Sequence, residues 1–248
     1  MKITRYENAI FGLRPIIEAI NAGQEIDTLF IQKGLKGDIF PELWELVKRN
    51  RVNYKHVPVE KLNRLTRKNH QGVFAFVSPI TFHRTENVIP QLFEEGKVPL
   101  FLILDRVTDV RNFGAIVRSA ECSGVHAIIV PERGSAAVNG DAMKTSAGAL
   151  SSVPICREFN LKATIDFLKN SGIQVVACTE KTEDLIYSPD YTIPTAIIMG
   201  SEEDGISEEY LKLCTHKTKI PMMGNIGSLN VSVSAGVILY EAVRQRKS

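Results

Sequence analysis

The chain reads as an α/β protein in two parts: a small layer over residues 1–80 and a larger domain over 98–248, joined by a linker at 81–97. Three observations predict this. From residue 100 onward short apolar runs alternate with segments of helical period, the pattern of a parallel sheet with helices on both faces. Ser78-Pro79 closes an apolar run, and Pro90, Gly96 and Pro99 punctuate the polar stretch after it. Charge is also unevenly spread. Residues 1–80 hold 13 Lys+Arg against 8 Asp+Glu, or +5, while 81–248 hold 17 against 20, or −3.

In the first part, Ile10, Leu13, Ile17 and Ile20 mark an amphipathic helix, with Glu7 and Asn8 as candidate caps. Thr28 to Ile31 is a strand. Phe40, Leu43, Trp44 and Val47 mark a second helix, with Pro41 acceptable in its first turn, and Trp44 expected in the core. Val52 to Val57 and Gly72 to Val77 are two further strands. The helix between them carries Lys61, Arg64, Arg67 and Lys68 at helical spacing, so most should share one face, as RNA contacts or as a solvated face. His70-Gln71-Gly72 suits a turn into the last strand, or a contact with RNA.

In the second part the expected order is strand 100–104, helix 112–123, strand 125–130, helices 139–150 and 160–170 and strands 173–178 and 195–199. Helix 206–213, strand 217–220 and helix 228–245 complete it. No repeat or low-complexity segment interrupts this alternation. Physical rules alone predict an unknotted Rossmann-like topology.

Composition narrows the class. A 44% hydrophobic content supports a real core, and no apolar run approaches 18 residues. The opening Met1-Lys-Ile-Thr-Arg-Tyr-Glu lacks an apolar signal core, so a soluble, cytoplasmic protein is expected, with no membrane partner. Cysteines 122, 156, 178 and 214 show neither C-x-x-C spacing nor a pairing pattern and read as reduced thiols. No Cys/His cluster suggests zinc, and no metal is expected.

Three segments carry the chemistry. Asn112-Phe-Gly-Ala-Ile-Val-Arg118 follows the apolar run Leu100–Leu104 and its Asp105. Met199-Gly-Ser-Glu-Glu-Asp-Gly205 follows Thr195-Ala-Ile-Ile198. Each places glycine and polar residues just past a buried strand, where open α/β sheets bind ligands. The third, Ile220-Pro-Met-Met-Gly-Asn-Ile-Gly-Ser-Leu-Asn230, leads into a helix rich in small residues: Ser232, Ser234, Ala235 and Gly236. Asn, Val and Ser are mediocre helix formers. Their presence suits close approach of a backbone or ligand, or else a close-packed terminal helix.

In this order and at these separations the segments resemble the three signature motifs of the SpoU-type (TrmH-like) RNA ribose 2′-O-methyltransferases of the SPOUT superfamily, over roughly residues 98–246. The resemblance implies a C-terminal α/β knot, in which residues 195–246 pass through a loop as a deep trefoil knot. It implies S-adenosylmethionine as cofactor, held by Met199, Gly200, Ile220, Met222, Ser228 and Leu229. It implies Arg118, Asn112, Glu202 and Asn230 as catalytic residues, with Glu203 and Asp204 as solvated neighbours, and a homodimer formed through the catalytic domain. Arg118 and Asn112 are expected together near one helix N-terminus. In the family the matching arginine is assigned as general base. A guanidinium, with a pKa above about 12, serves as well by binding phosphate and stabilising an alkoxide. Residues 1–80 look like the ribosomal-protein-like RNA-binding domain of rRNA-directed members. That makes a guanosine of large-subunit (23S) rRNA the expected substrate, and tRNA the runner-up.

Other classes lack their marks. No G-x-G-x-x-G supports a nicotinamide oxidoreductase, and no G-x-x-x-x-G-K-[ST] a P-loop hydrolase. A non-catalytic RNA-binding or ribosome-assembly factor on the same fold remains the rival. It would have no need of Asn112, Arg118, Glu202 and Asn230 together.

Overall fold

The computed structural model of the chain describes residues 9–247. They fall into two compact units divided at Thr81, with the short Val138–Gly140 segment grouped with the first.

The first unit runs β1 (Ala9–Phe11), α1 (Leu13–Asn21), β2 (Ile26–Gln32), α2 (Phe40–Arg49), β3 (Tyr54–Val57), α3 (Val59–Leu65) and β4 (Val73–Val77). Its mixed sheet has the order β1-β4-β2-β3, with β2 parallel to β3 and antiparallel to β4. The two-residue period of a strand sorts its side chains. Leu29, Ile31, Val73 and Ala75 pack under Ile16, Ile17 and Ile20 of α1 and Leu43, Leu46 and Val47 of α2. Phe30 and Phe74 face the other way, under Leu62 of α3, with Phe11 and Phe76 beside them.

Ile10 belongs to β1 rather than to the first helix. Gly12, at φ 92°, turns the chain, and α1 starts at Leu13, whose amide donates to Gln71 Oε1 at 2.9 Å. The candidate caps Glu7 and Asn8 lie outside the described residues. The basic helix is also shorter than its spacing suggests. Thr66 is extended (φ −147°, ψ 143°), so Arg67 and Lys68 leave the helical face. Lys61 and Lys68 instead sit over the rings of Phe30 and Phe11. His70 is buried in a turn, its Nε2 2.9 Å from Asn63 Oδ1 and its Nδ1 accepting from the Gly72 amide.

The second unit begins where a linker was expected. Residues 82–94 form β5 (Phe82–His83) and α4 (Thr85–Glu94), which starts where Glu158 accepts from the Thr85 amide at 2.7 Å. β6 (Leu100–Leu104), α5 (Val110–Cys122), β7 (Ala127–Pro131), α6 (Gly140–Thr145), β8 (Ile155–Glu158) and α7 (Leu161–Asn170) follow. Then come β9 (Gln174–Cys178), β10 (Thr195–Met199), α8 (Glu208–Leu211), β11 (His216–Thr218) and α9 (Val231–Lys247). All seven strands are parallel, in the order β11-β9-β10-β6-β7-β8-β5. The central runs Leu100–Leu104 and Thr195–Met199 are buried at every position, as strands covered on both faces must be.

Three further expectations change. The helix at 139–150 stops at Thr145, because Ala147 (φ 50°) and Gly148 (φ 91°) are left-handed, and only a short 3-10 turn follows. The helix expected at 206–213 shrinks to the single turn of α8. The last helix begins at Val231 rather than Ser228. Asn230 caps it: its carbonyl accepts from the Ser234 amide at 2.9 Å, and its Oδ1 from the Ser232 amide at 3.0 Å. At the far end of α9, Arg246 donates to the carbonyls of Val98, Pro99, Tyr191 and Ile193. No helix among the described residues is long and apolar enough to cross a membrane.

Beside this clamp, His126 Nδ1 accepts from the Leu100 amide at 3.0 Å. Burial, and then the charges of Arg246 and Lys97, push its pKa below the ordinary 6.5. The unfolded chain therefore takes up this proton at a higher pH than the folded one does. Stability from this group is intact above pH 6.5 and declines as pH falls through the depressed folded value. Urea unfolding should show that decline, and His126→Asn, whose Oδ1 can replace the ring acceptor, should flatten it. An equal slope in the variant would assign the effect elsewhere.

Candidate active site

The parallel register Leu104↔Met199 makes β6 and β10 end side by side. The loops after them, 105–109 and 200–207, thus leave the same edge of the sheet although they lie far apart in sequence. Each is fixed by side chains that cap it. Asp109 accepts from the Arg111 and Asn112 amides at 2.9 and 2.7 Å and starts α5. Gly200 needs its missing Cβ, which would overlap the carbonyl of Gly205 and the amide of Ile206. The resemblance implies a bound cofactor at this glycine. The close neighbour is instead the loop's own backbone, folded back through the Ser201–Gly205 pairing.

Into this edge the third segment brings Asn230. Its Nδ2 donates to Glu202 Oε1 at 2.6 Å and to Asn112 Oδ1 at 3.0 Å. Because Asn230 Oδ1 already accepts from the Ser232 amide, the amide's orientation is determined. The Val231 amide lies 3.4 Å from the same Glu202 oxygen, so the carboxylate sits at the positive end of α9. Three of the four expected catalytic residues therefore meet. None of the three is buried at this point.

Arg118 stands apart. It lies six residues after Asn112, about 9 Å further along α5 and on a different side of it, so the two do not share the helix N-terminus. It is exposed and makes no ion pair or hydrogen bond among the described residues, with Glu121 or any other group. A guanidinium in this state is a ready partner for phosphate.

One network escaped the sequence reading. Asp105 is 2% exposed and accepts from the Ser207 amide (2.8 Å) and hydroxyl (2.7 Å). Arg106 bonds to Asp105 at 3.1 Å, to Asp204 at 2.9 Å and to the Gly205 carbonyl at 3.2 Å. The adjoining Asp105 carboxylate raises the arginine's pKa further. Arg106 holds φ 57°, a conformation costly for a side chain with a Cβ, so the bonds must hold it there. Asp204, expected as a solvated neighbour, is thus half of a latch on the loop that carries Glu202. Its only signal in the sequence was an arginine beside a strand end and an aspartate 98 residues later.

The expected cofactor residues line a different kind of surface. Met199 is 3% exposed and its carbonyl accepts from the Asp105 amide, so it supports the edge from beneath. Ile220 and Met222 are half-buried, while Met223, Ile226 and Leu229 are exposed at 97%, 79% and 39%. Among the described residues, the backbone amides of 222–229 have no intramolecular partner, and Ser228 is exposed. Apolar side chains beside free backbone amides and carbonyls fit a ligand with an aromatic base and a polar tail, and no lysine or arginine lies in 220–230 to repel a cation. The mid-helix small residues have another job: α9 packs on α5 with Gly236 against Ser119, and Ala235 fully buried. Burial pushes the Cys156 and Cys178 thiols up to about 12 and the Cys214 thiol to about 11, so these three are poor nucleophiles. No metal-binding group occurs among the described residues.

If the latch fixes the loop, Arg106→Gly, which suits the positive φ but removes the bonds, should speed hydrogen exchange at the Gly205 and Ser207 amides about tenfold or more. Unchanged rates would mean that the Gly200–Gly205 fold-back suffices.

Comparison with known proteins agrees with this architecture. Residues 99–240 match the model of the SpoU rRNA Methylase family, and residues 9–83 the model described as RNA 2′-O ribose methyltransferase substrate binding. A "Putative TrmH family tRNA/rRNA methyltransferase" of Staphylococcus saprophyticus is 34% identical over 240 residues, covering 97% of this chain and 96% of its own. The "23S rRNA (guanosine-2′-O-)-methyltransferase RlmB" of Photorhabdus laumondii is 42% identical over 179 residues, 72% of this chain and 73% of its own. The crystal structure of the SpoU methyltransferase AviRb from Streptomyces viridochromogenes, in complex with AdoMet, aligns with a TM-score of 0.61 at 28% identity, over 96% of this chain and 90% of that one. With both models matched in order and full-length relatives above 30% identity, the chain belongs to the SpoU rRNA Methylase family.

Proposed function

We propose that this protein methylates the 2′-hydroxyl of a guanosine in large-subunit rRNA. The broader reading, an S-adenosylmethionine-dependent RNA 2′-O-methyltransferase, follows from its family. The observation that carries the site assignment is the meeting of Asn112, Glu202 and Asn230 from three distant segments. A mere RNA-binding scaffold has no need to gather them. The guanosine and 23S preference rests on the 42% identity to the Photorhabdus laumondii enzyme. The tRNA reading is kept alive by relatives named for both RNAs. An RNA target of this kind puts the work in the cytoplasm.

In this proposal S-adenosylmethionine, when bound, supplies an already activated methyl on a cationic sulfur. Gly200, Ile220, Met222, Ser228 and Leu229 would hold it, with Met199 behind them. The chain must then position the ribose, shed its proton and stabilise the alkoxide. Asn112 offers its amide nitrogen to the ribose, and Asn230, whose own amide is engaged by Glu202, Asn112 and Ser232, holds that group in place. Arg118 grips the neighbouring phosphate and stabilises the developing negative charge, since its own proton is too tightly held for easy removal. Residues 1–80 supply phosphate contacts through their +5 balance. The C-terminal segment from 195 onward is taken to form the trefoil knot, which the parallel strand order fits.

The catalytic unit is proposed to work as a homodimer through α9. Val233, Val237 and Tyr240 form a stripe at i, i+4, i+7 and are 50%, 37% and 54% exposed, opposite the buried Ala235, Ile238 and Ala242.

Arg118→Ala should lower single-turnover methyl transfer to rRNA at least about a hundredfold, with Arg118→Lys restoring it only in part. Rates within a few-fold of wild type would remove Arg118 from the machinery. Sedimentation of Val237→Glu should yield monomers where wild type yields dimers, and a variant that stays dimeric would move the interface off this stripe.

A further inference from the structure

Trp44 was expected in the core, yet it lies at the core's rim, half-buried. It is stacked on Phe40 with ring centroids 6.1 Å apart, and it meets Tyr54 edge-on at 5.0 Å. Tyr54 in turn meets His56 at 5.5 Å, and His56 lies 6.1 Å from Trp44. Lys48 Nζ sits 5.2 Å above the Trp44 ring. The register explains why these groups gather. Tyr54 pairs with Leu29 and His56 with Ile31, so both rings point to the face that α2 covers. Leu29 and Ile31 are fully buried there, but β3 is the edge strand, and Tyr54 remains 40% exposed.

An exposed aromatic row on an edge strand is a liability that proteins usually blunt. Here it is retained with Lys48 against the indole ring, in a basic stretch of chain whose Lys55 faces the other side of the sheet. Between 44 and 56 the chain has Lys48, Arg49, Arg51 and Lys55 against a single acid, Glu45. The nearby Glu42 lies 3.8 Å from Arg14. Aromatic faces interleaved with cations are what unpaired bases and their phosphates require, and duplex RNA, with its bases stacked inside, cannot use them.

We infer that Trp44, Tyr54 and His56, with Lys48, form a stacking site for an unpaired base of single-stranded RNA. The base lies against the exposed faces of Tyr54 and Trp44. Lys48, which caps the indole ring in the free protein, turns to the phosphate beside it. This deepens the reading of the protein as an RNA methyltransferase and rests on RNA being its substrate. It assigns to the first unit a site separate from the three loops that carry the catalytic residues.

The chain contains one tryptophan, so its emission reports on this site alone. In the full-length protein, a short single-stranded RNA should quench Trp44 saturably, and a blunt duplex of the same sequence should not. Tyr54→Ala should weaken single-strand binding about tenfold or more, and Tyr54→Phe, which keeps the ring, should restore it. The inference is overturned if bound RNA, followed by filter retention, leaves the emission unchanged. It is also overturned if the phenylalanine variant binds no better than the alanine one, or if emission shifts with protein concentration without RNA, the sign of a self-association face. Methyl transfer to rRNA measured alongside separates the two readings. Transfer without quenching sinks the stacking site alone, and quenching without transfer upholds it while sinking the catalytic assignment.

Discussion

The parallel pairing of β6 with β10 is the constraint from which the candidate site follows. Five residues of each strand are in register, and every one is buried on both faces. Apolar burial at about 25 cal/mol per Å² makes that register hard to shift. A slip by one residue would reverse the facing of every side chain. Register fixes where Asp105 and Gly200 emerge, and the bond from the Asp105 amide to the Met199 carbonyl carries the ladder one step past the strands. Loop chemistry then begins from a rigid origin. Asp105 reaches Ser207, Arg106 reaches Asp204, and Glu202 is delivered to the start of α9.

Asn230 joins this frame to the terminal helix. One primary amide has four hydrogen-bonding sites, and here its oxygen caps α9 while its nitrogen joins Glu202 to Asn112. A carboxylate could cap a helix equally well but would repel Glu202, and a hydroxyl could not span two partners in opposite directions. Residue type and position thus follow from the double task. The cost is a cluster of polar side chains that stays open to solvent.

The sequence was legible where burial is two-sided and opaque where distant groups meet. The runs at 100–104 and 195–199 could be bounded to the residue, because a strand hidden on both faces is apolar throughout. β8 was missed: Ile155-Cys-Arg-Glu is short, half polar and follows a proline. The linker was misread for a related reason, since Pro90 looks like a breaker yet sits inside α4. Ala147 ended a helix by taking a left-handed turn that no alanine advertises. At the site, Asn112, Glu202 and Asn230 were found through the resemblance of whole motifs, not through local spacing. Arg106 was invisible, because its partners are set by the fold and its backbone conformation is one usually left to glycine.

Arg246 gives the molecule a timing as well as a geometry. It fastens the end of α9 to the carbonyls of Val98, Pro99, Tyr191 and Ile193, which lead into the starts of β6 and β10. The other end of α9, at Asn230, closes the site at the opposite ends of the same two strands. This helix of 17 residues, about 25 Å long, therefore fits only onto a sheet that already exists. Contacts of such long sequence separation form late. During synthesis, which proceeds from the N-terminus, a nascent chain can fold its first unit while its second is still incomplete. The constellation of Asn112, Glu202 and Asn230 cannot assemble until residues 230 to 246 have left the ribosome's exit tunnel.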